Sequence, residues 1–582
     1  MKIVILDSGI DHNHSMFKKL NIENYIYEEE TKTWIAKEIK IKNGHGTAVA
    51  SVLTKYAKQI DEIYSFRVVE ETDADIEKLI NALEYIYAFM DCDLINISMG
   101  VREYSKRLEE ICNKLYDKKV MIISAYANEG CVSYPAAFDG VIGIDSTVNL
   151  KKFNEYIWVK NSIVNVGCLK GVQRVAWLDG GYQLAVGNSF VAPIITAKIS
   201  NWICQGVKIE NIKKVLEKNA IRVISGNSVE NKKVKKELSV SKVALFPYNK
   251  EIKNILKFSD MLNFEICAIC DSKYSGNVGL QEGNLLVEDI DKYSFKDIDG
   301  FVLGHTDILE LKTNHKYKES IISNCNRFGI NIISFDDIEI EMATNAYVPK
   351  IKRDKYTTDK FGKLYDIVSP ILAVVGTDSQ QGKFTLQMTL RKKFLETGYQ
   401  VGQLSSEPEG CVFDVDYVYP YGYNSTVYLQ GRDSIEHVNA LMHQIDIKEP
   451  DIILTGAQSG ICTLSFENTD MYNLPTIEFL MGVNPDAVVM CINYHDDVDD
   501  ILRTVKFTES LMDCKVIALS LFPLDYLNEW KYLRNIKEKI DTVELKNRVK
   551  EIEKITSIPT FILGDNMEEN KMFEVIIDYF GS

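Results

Sequence analysis

The sequence predicts an α/β protein, with a parallel-sheet, three-layer domain at its N-terminal end and two further α/β domains behind it. Three observations point there. Short apolar runs rich in β-branched residues alternate with amphipathic stretches along most of the chain, the pattern of a sheet covered by helices on both faces. At 582 residues the chain is too long for one core. Two polar stretches, "VENKKVKKELSVSK" (229–242) and "RDKYTTDKFGKLYD" (353–366), interrupt the alternation and read as joins. Domains are therefore expected at 1–225, 243–350 and 351–582, with a linker at 226–242.

Taken in order, the first domain offers strands at "KIVILD", "EIYSFRVV", "LINISM", "VMIISAY" and "VIGIDS", and helices at "DADIEKLINALEYIYAFM" and "KRLEEICNKLYD". The second offers "FEICAICD", "DIDGFVLG" and "SIISNCNRFGINIISFDD". The third opens on "SPILAVVGTDSQQGKFTLQMTLRKKFL", an apolar strand, a glycine-containing loop and a helix. No short-period repeat or low-complexity tract is present.

Composition narrows the classes of function. Hydrophobic residues make up 46% and charged residues 26%, ordinary for a globular protein. The formal net charge of -16 argues against wrapping nucleic acid or lying on anionic lipid. No charged-then-apolar leader opens the chain, and no run of about 18 apolar residues crosses a bilayer. The 12 cysteines are scattered through apolar segments, the usage of a reducing compartment. The one close pair, Cys267 and Cys270, lacks a second pair to complete a zinc site. A cytoplasmic protein is expected, with no nucleic acid or membrane partner.

Three stretches of the first domain carry groups that suit one chemistry. "VILDSGI" ends a buried strand on Asp7, where a carboxylate can fix an imidazole tautomer. "NGHGTAVASVL" sets His45 between glycines at a helix start. "VGNSFVAPIITAKI" sets Ser189 at the opening of a helix, where free N–H groups favour a developing oxyanion. "VMIISAYANEGCVSYPAAF" adds Asn128 in a turn after a strand, as an amide donor.

All four, in this chain order, resemble the subtilisin-like serine peptidases, whose motifs are Asp-Ser/Thr-Gly, His-Gly-Thr-x-Val-Ala, an Asn-Glu-Gly turn and Gly-Thr-Ser-x-Ala-x-Pro. The resemblance implies that Asp7 orients His45, that His45 activates Ser189, and that Asn128 with the Ser189 N–H holds the oxyanion. It also implies that Ser98, Met99 and Gly100, with Ala125, Tyr126 and Ala127, border the substrate, Met99 and Tyr126 lying near the P1 side chain. Asn188 stands where the family has Thr, and Ala127 where Gly is common. The peptidase chemistry needs no cofactor, and no structural calcium or other metal is expected. His12 and His14 read as packing residues. Without a pro-segment, restraint is expected from narrow specificity, low intrinsic activity or a gate in residues 230–582.

In the third domain, Gly376, Thr377, Asp378, Ser379, Gln380, Gln381, Gly382, Lys383, Phe384 and Thr385 form a strand–loop–helix of the kind that cradles phosphate on backbone N–H groups beside a lysine. This loop is similar to that of dethiobiotin synthetase and its P-loop relatives, and residues 243–582 resemble an uncharacterised family with a Rossmann-like half and a P-loop half. The resemblance implies ATP or another nucleotide, with magnesium. Phe384 replaces the magnesium-binding Ser/Thr, leaving Thr385 as a substitute, and Thr455 replaces an acidic residue; Glu407, Asp414 and Asp416 are the remaining candidate carboxylates.

The reading that follows is an intracellular serine endopeptidase cleaving a specific peptide or protein, leader removal from a ribosomally made precursor included. The C-terminal region recognises the substrate or gates cleavage by nucleotide. The alternative is a nucleotide-dependent ligase- or kinase-like enzyme with an accessory peptidase domain.

Overall fold

The computed structural model describes residues 1–581 apart from 39, 71–74, 129, 149, 226–239, 339–342, 344, 352–360, 464–466, 469–471 and 527–536. Most of the 226–242 linker therefore lies outside the described residues. The chain divides into two compact units, Met1–Val229 with Asp354–Ile367, and Glu230–Arg353 with Val368–Ser582.

In the first unit, β1 (Lys2–Asp7), β2 (Asn21–Glu28), β3 (Thr33–Ala36), β4 (Glu62–Arg67), β5 (Leu94–Ile97), β6 (Met121–Ala125), β7 (Val141–Val148), β8 (Tyr156–Lys160), β9 (Val166–Leu169) and β12 (Arg222–Ser225) form one sheet, while β10 (Gln173–Ala176) and β11 (Tyr182–Ala185) make a separate hairpin. The sheet runs in the order β12-β8-β9-β7-β6-β5-β1-β4-β2-β3. Its centre, from β7 to β2, pairs in parallel throughout.

Because side chains alternate along a strand, β1 feeds both faces. Ile3 and Ile5 pack with helices α1 (His45–Tyr56) and α4 (Ala192–Cys204). Val4 and Leu6 pack with α2 (Ile76–Phe89) and α3 (Lys106–Asp117). All four side chains are fully buried, worth about 1.5–3 kcal/mol each. The continuous apolar run that read as a buried parallel strand has this cause. Helix α3 coincides with "KRLEEICNKLYD", capped by Ser105, whose side chain accepts from the Leu108 N–H; Asp75 caps α2 in the same way.

The second unit holds two seven-stranded sheets. One runs Gln281–Glu282, Leu285–Asp289, Glu265–Asp271, Lys242–Phe246, Gly300–Leu303, Asn331–Ser334, Ala346–Tyr347, with only the outermost hairpin antiparallel. The other runs Tyr417–Val418, Val401–Ser405, Ile452–Gly456, Ile371–Gly376, Ala487–Ile492, Lys515–Leu521, Thr560–Ile562, parallel throughout.

Two features differ from the expected division of the chain. Stretches 243–350 and 368–582 belong to one compact unit, in which Val243, Leu245 and Val302 share an apolar cluster with Phe384, Met388, Val412 and Phe413. Residues 354–367, expected to join domains, belong to the first unit. All twelve cysteines are free, Cys267 and Cys270 included.

Candidate active site

Asp7 ends β1 and is 1% exposed. Its carboxylate accepts the Ser8 N–H at 2.7 Å, and its two oxygens lie 2.9 and 3.0 Å from His45 Nδ1. His45 is the first residue of α1, so its ring stands at the open end of the helix. Gly46 makes this approach possible: a Cβ there would lie 2.4 Å from the Gly9 carbonyl oxygen and 3.2 Å from Asp7 Oδ1. The Ser8 hydroxyl accepts the Gly46 N–H and donates to the Asn43 carbonyl, tying strand end to helix start. Burial opposes charging the imidazole, but the charge and hydrogen bond of Asp7 outweigh it, and the His45 pKa is raised above its ordinary value.

Ser189 lies in the 3-10 turn Asn188–Phe190 ahead of α4 and is 8% exposed. Its hydroxyl donates to the Ser98 carbonyl at 2.8 Å, while its own carbonyl accepts from Ser98 Oγ at 3.0 Å. The next ring, Phe190, stands 5.2 Å from that of His45. The serine hydroxyl therefore rests on the Ser98 carbonyl.

Asn188 is held on every side. Its Oδ1 accepts from the Ser146 N–H (2.8 Å) and hydroxyl, and its Nδ2 donates to the Tyr126 carbonyl (3.0 Å) and Asp145 Oδ1 (3.1 Å). Its backbone N–H donates to Asn128 Oδ1 at 2.9 Å. With that oxygen engaged, the exposed Asn128 amide presents Nδ2 as its donor. Gly187, at φ 139°, allows the contact, since a Cβ there would lie 2.9 Å from Asn128 Oδ1.

The two wall segments leave neighbouring parallel strands, with Ile97 of β5 paired to Ser124 of β6. Ser133 links them: its Oγ accepts the Ala127 N–H at 2.9 Å and would lie 2.6 Å from a Cβ on Gly100. Met99, Gly100 and Ala127 are part-exposed; Ser98, Ala125 and Tyr126 are buried. The Tyr126 side chain turns inward. Its ring packs with Ala136 and Val164, and its hydroxyl donates to the Ala136 and Ile163 carbonyls, because an aromatic ring with a polar tip reaches its lowest energy with both parts satisfied inside. His14 is a packing residue, buried with Nδ1 accepting the Met16 N–H.

In the second unit, strand Ile371–Gly376 runs into a loop, and the helix Lys383–Glu396 follows Gly382, whose φ is 77°. The loop is closed by its own side chains. Gln381 Oε1 accepts the Asp378 N–H at 3.1 Å, and its Nε2 donates to the Thr377 hydroxyl, which donates in turn to Asp496. Lys383 Nζ donates to the Asp378 carbonyl, and burial pushes its pKa down to about 8. A lysine at the loop's edge and a left-handed glycine at the helix start fit an anionic phosphate. Of the positions considered for a metal clamp, Phe384 lies in the apolar cluster, the Thr455 hydroxyl donates to the Leu404 carbonyl, Glu407 lies 3.7 Å from Lys250, and Asp416 pairs with Lys448. Among the described residues no group of three or more His, Cys, Asp or Glu gathers as a metal site.

Four participants escaped the sequence reading: Ser133, Asp145, Asp496 and Lys363, whose Nζ lies 3.3 Å from Asp145 Oδ2. Ser133 lies in the stretch that carries Asn128, close in sequence to its partner Ala127; the other three sit in no motif and reach their partners only through the fold.

A parallel α/β domain that brings an aspartate to a histidine at a helix start, with a serine turn and an asparagine amide alongside, is the architecture of a subtilisin-type serine peptidase. Residues 1–240 match the subtilase family, and residues 361–560 match a P-loop domain of unknown function (DUF1611_C). The chain thus carries a subtilase domain at its N-terminal end and that P-loop domain towards its C-terminal end. It is 28% identical over 161 residues to the minor extracellular protease Epr of Bacillus subtilis (strain 168), covering 25% of this chain and 23% of that protein. It is 25% identical over 221 residues to an intracellular serine protease of Paenibacillus polymyxa, covering 34% of this chain and 65% of that one. A solved psychrophilic protease, S41, aligns at 18% identity over 39% of this chain and 88% of its own, with a TM-score of 0.33. The chain spans between 23% and 65% of the length of these two curated relatives.

Proposed function

We propose that this protein is a serine endopeptidase that cleaves a specific peptide or protein, and that its P-loop region binds a nucleotide or other phosphate-bearing ligand to recognise substrate or gate cleavage. The Asp7–His45 pair beside the Ser189–Asn128 turn carries the reading. Substrate backbone enters between the 98–100 and 125–127 segments. Ser189 rotates off the Ser98 carbonyl, gives its proton to His45 Nε2 and attacks the scissile carbonyl. Asn128 Nδ2 and the Ser189 N–H donate to the oxyanion. His45 then protonates the leaving amine, and water, deprotonated by His45, releases the acyl group from Ser189. Asp7 holds Nδ1–H and the imidazolium throughout.

Precursor or leader processing of a ribosomally made peptide is the substrate class proposed, and a reducing, cytoplasmic setting is supported by the free cysteines. No helix among the described residues is long and apolar enough to cross a membrane. For the P-loop, Lys383 and the 376–382 loop are proposed to hold phosphate; a bound nucleotide would supply only charge and shape for recognition.

The test is labelling by a fluorophosphonate probe and cleavage of a peptide library by the full chain, with and without ATP. Labelling lost in Ser189→Ala, and cleavage altered by ATP, are expected. A wild-type chain unlabelled both with and without ATP overturns the peptidase reading; identical cleavage with and without ATP overturns gating.

A further inference from the structure

Lys363 comes from a stretch that lies, along the chain, between the two sheets of the second unit, yet it belongs to the first. Its side chain is 2% exposed, and its Nζ lies 3.3 Å from Asp145 Oδ2, itself 1% exposed. The ammonium also stands 5.2 Å from the centre of the Tyr126 ring. Neighbouring residues fasten this strap: the Leu364 carbonyl accepts the Val132 N–H at 2.8 Å, Phe361 packs on Tyr126, Ala136 and Val164, and Tyr365 packs on the apolar cluster that Val4 and Leu6 form with α2 and α3.

A buried pair of opposite charges is a poor source of stability, because desolvation offsets the attraction, but removing one partner strands the other. This pair sits at the root of the nucleophile turn. Asp145 receives Lys363 on Oδ2 and Asn188 Nδ2 on Oδ1. Asn188 precedes Ser189 in the chain and donates its backbone N–H to Asn128. One ion pair and two hydrogen bonds therefore link Lys363, through Asp145 and Asn188, to the Asn128 amide.

We propose that Lys363 is a positioning residue for peptide cleavage: by holding Asp145 against Asn188, it sets the turn that carries Ser189 and the Asn128 amide. This rests on Ser189 being the nucleophile. The peptidase site is then completed by a residue that follows Ser189 by more than 170 positions in the chain.

The experiment compares the full-length wild type with Lys363→Met, Lys363→Arg, Asp145→Asn and the Lys363→Met/Asp145→Asn double variant. Fluorophosphonate labelling rate, kcat and KM on a cleaved peptide, and Tm are measured, the rates well below every Tm. Lys363→Met is expected to lower kcat and labelling by about 10- to 100-fold, the scale of a sub-ångström to ångström misplacement, with KM within twofold. Lys363→Arg should keep most of the rate, and Asp145→Asn should restore part of what Lys363→Met loses, by removing the stranded carboxylate. Should Lys363→Met not fold, the same rates are read on Lys363→Gln. Rates within twofold of wild type in the folded neutral variant, whatever its Tm, overturn the proposal, as do independent multiplicative losses in the double variant. An unlabelled wild type would instead overturn the nucleophile assignment.

Discussion

Replacing Asn128 with alanine separates the chemistry of the site from its stability. The residue is exposed, and its Oδ1 accepts the Asn188 N–H at 2.9 Å. That bond is worth about 0.5–1.5 kcal/mol, and water can replace the acceptor at an exposed position, so the loss in unfolding free energy should stay at or below about 1 kcal/mol. In the transition state Nδ2 would face a full negative charge, and removal of one such donor costs about 2.7–4 kcal/mol, or 10²- to 10³-fold in kcat. Denaturant unfolding and steady-state cleavage, run on the same preparations, give the two numbers. The expected result is a kcat lowered at least about a hundredfold, KM nearly unchanged and a midpoint close to wild type. A kcat within about threefold of wild type would refute the oxyanion assignment. An equal fall in stability and rate would instead show that Asn128 only props the turn.

Asp7→Asn should lower kcat by about 10⁴-fold, since the imidazole loses its tautomer and its counter-charge; cleavage kinetics check it. The His45 pKa is raised, and the base must be neutral, so the acidic limb of the kcat/KM profile should lie above the ordinary histidine value of about 6.5, with activity rising through it; a limb at or below that value would contradict the pairing with Asp7. The same raised pKa means the pair's stabilisation is present at low pH and lost as pH climbs through it, visible as a Tm difference between wild type and Asp7→Asn that shrinks at alkaline pH. Gly46→Ala would set a methyl 2.4 Å from a backbone oxygen and beside Asp7; a loss of about 1–3 kcal/mol with a strong fall in labelling is expected from thermal unfolding and probe kinetics. Lys383→Met should abolish binding of ATP and inorganic phosphate in calorimetry. In the wild type that binding should weaken as pH rises through about 8, where the buried lysine loses its proton.

Much of this was legible because the informative residues are local. Asp7, His45 and Ser189 each sit in a short motif whose glycines and helix starts are needed for backbone approach, as Gly46 shows. The central strands β1, β4, β5, β6 and β7 were legible for the same reason, since their apolar runs meet helices on both faces, whereas β2, β3, β8, β9 and β12 were not read. Tyr126 was misplaced because a residue just past a strand end can turn either way, and burial of its ring with two carbonyl partners decided the matter. Phe384 read as a lost magnesium ligand; the apolar cluster that recruits it, with Val243 and Phe413, is formed by segments far apart in sequence. Lys363 sits in a stretch that read as a polar joint, and nothing local marks a lysine whose counter-charge lies more than two hundred positions earlier.

The return of residues 354–367 to the first unit also sets a clock on synthesis. When Ser225 leaves the ribosome, every strand and helix of the N-terminal fold has been made, but the piece carrying Lys363 has not. At roughly 5–20 residues per second of translation, a nascent chain spends on the order of ten seconds with its peptidase lobe unfinished. Folding of that lobe and arrival of its last segment are thereby separated in time, and a chain truncated before the strap would carry the first sheet without Lys363 opposite Asp145.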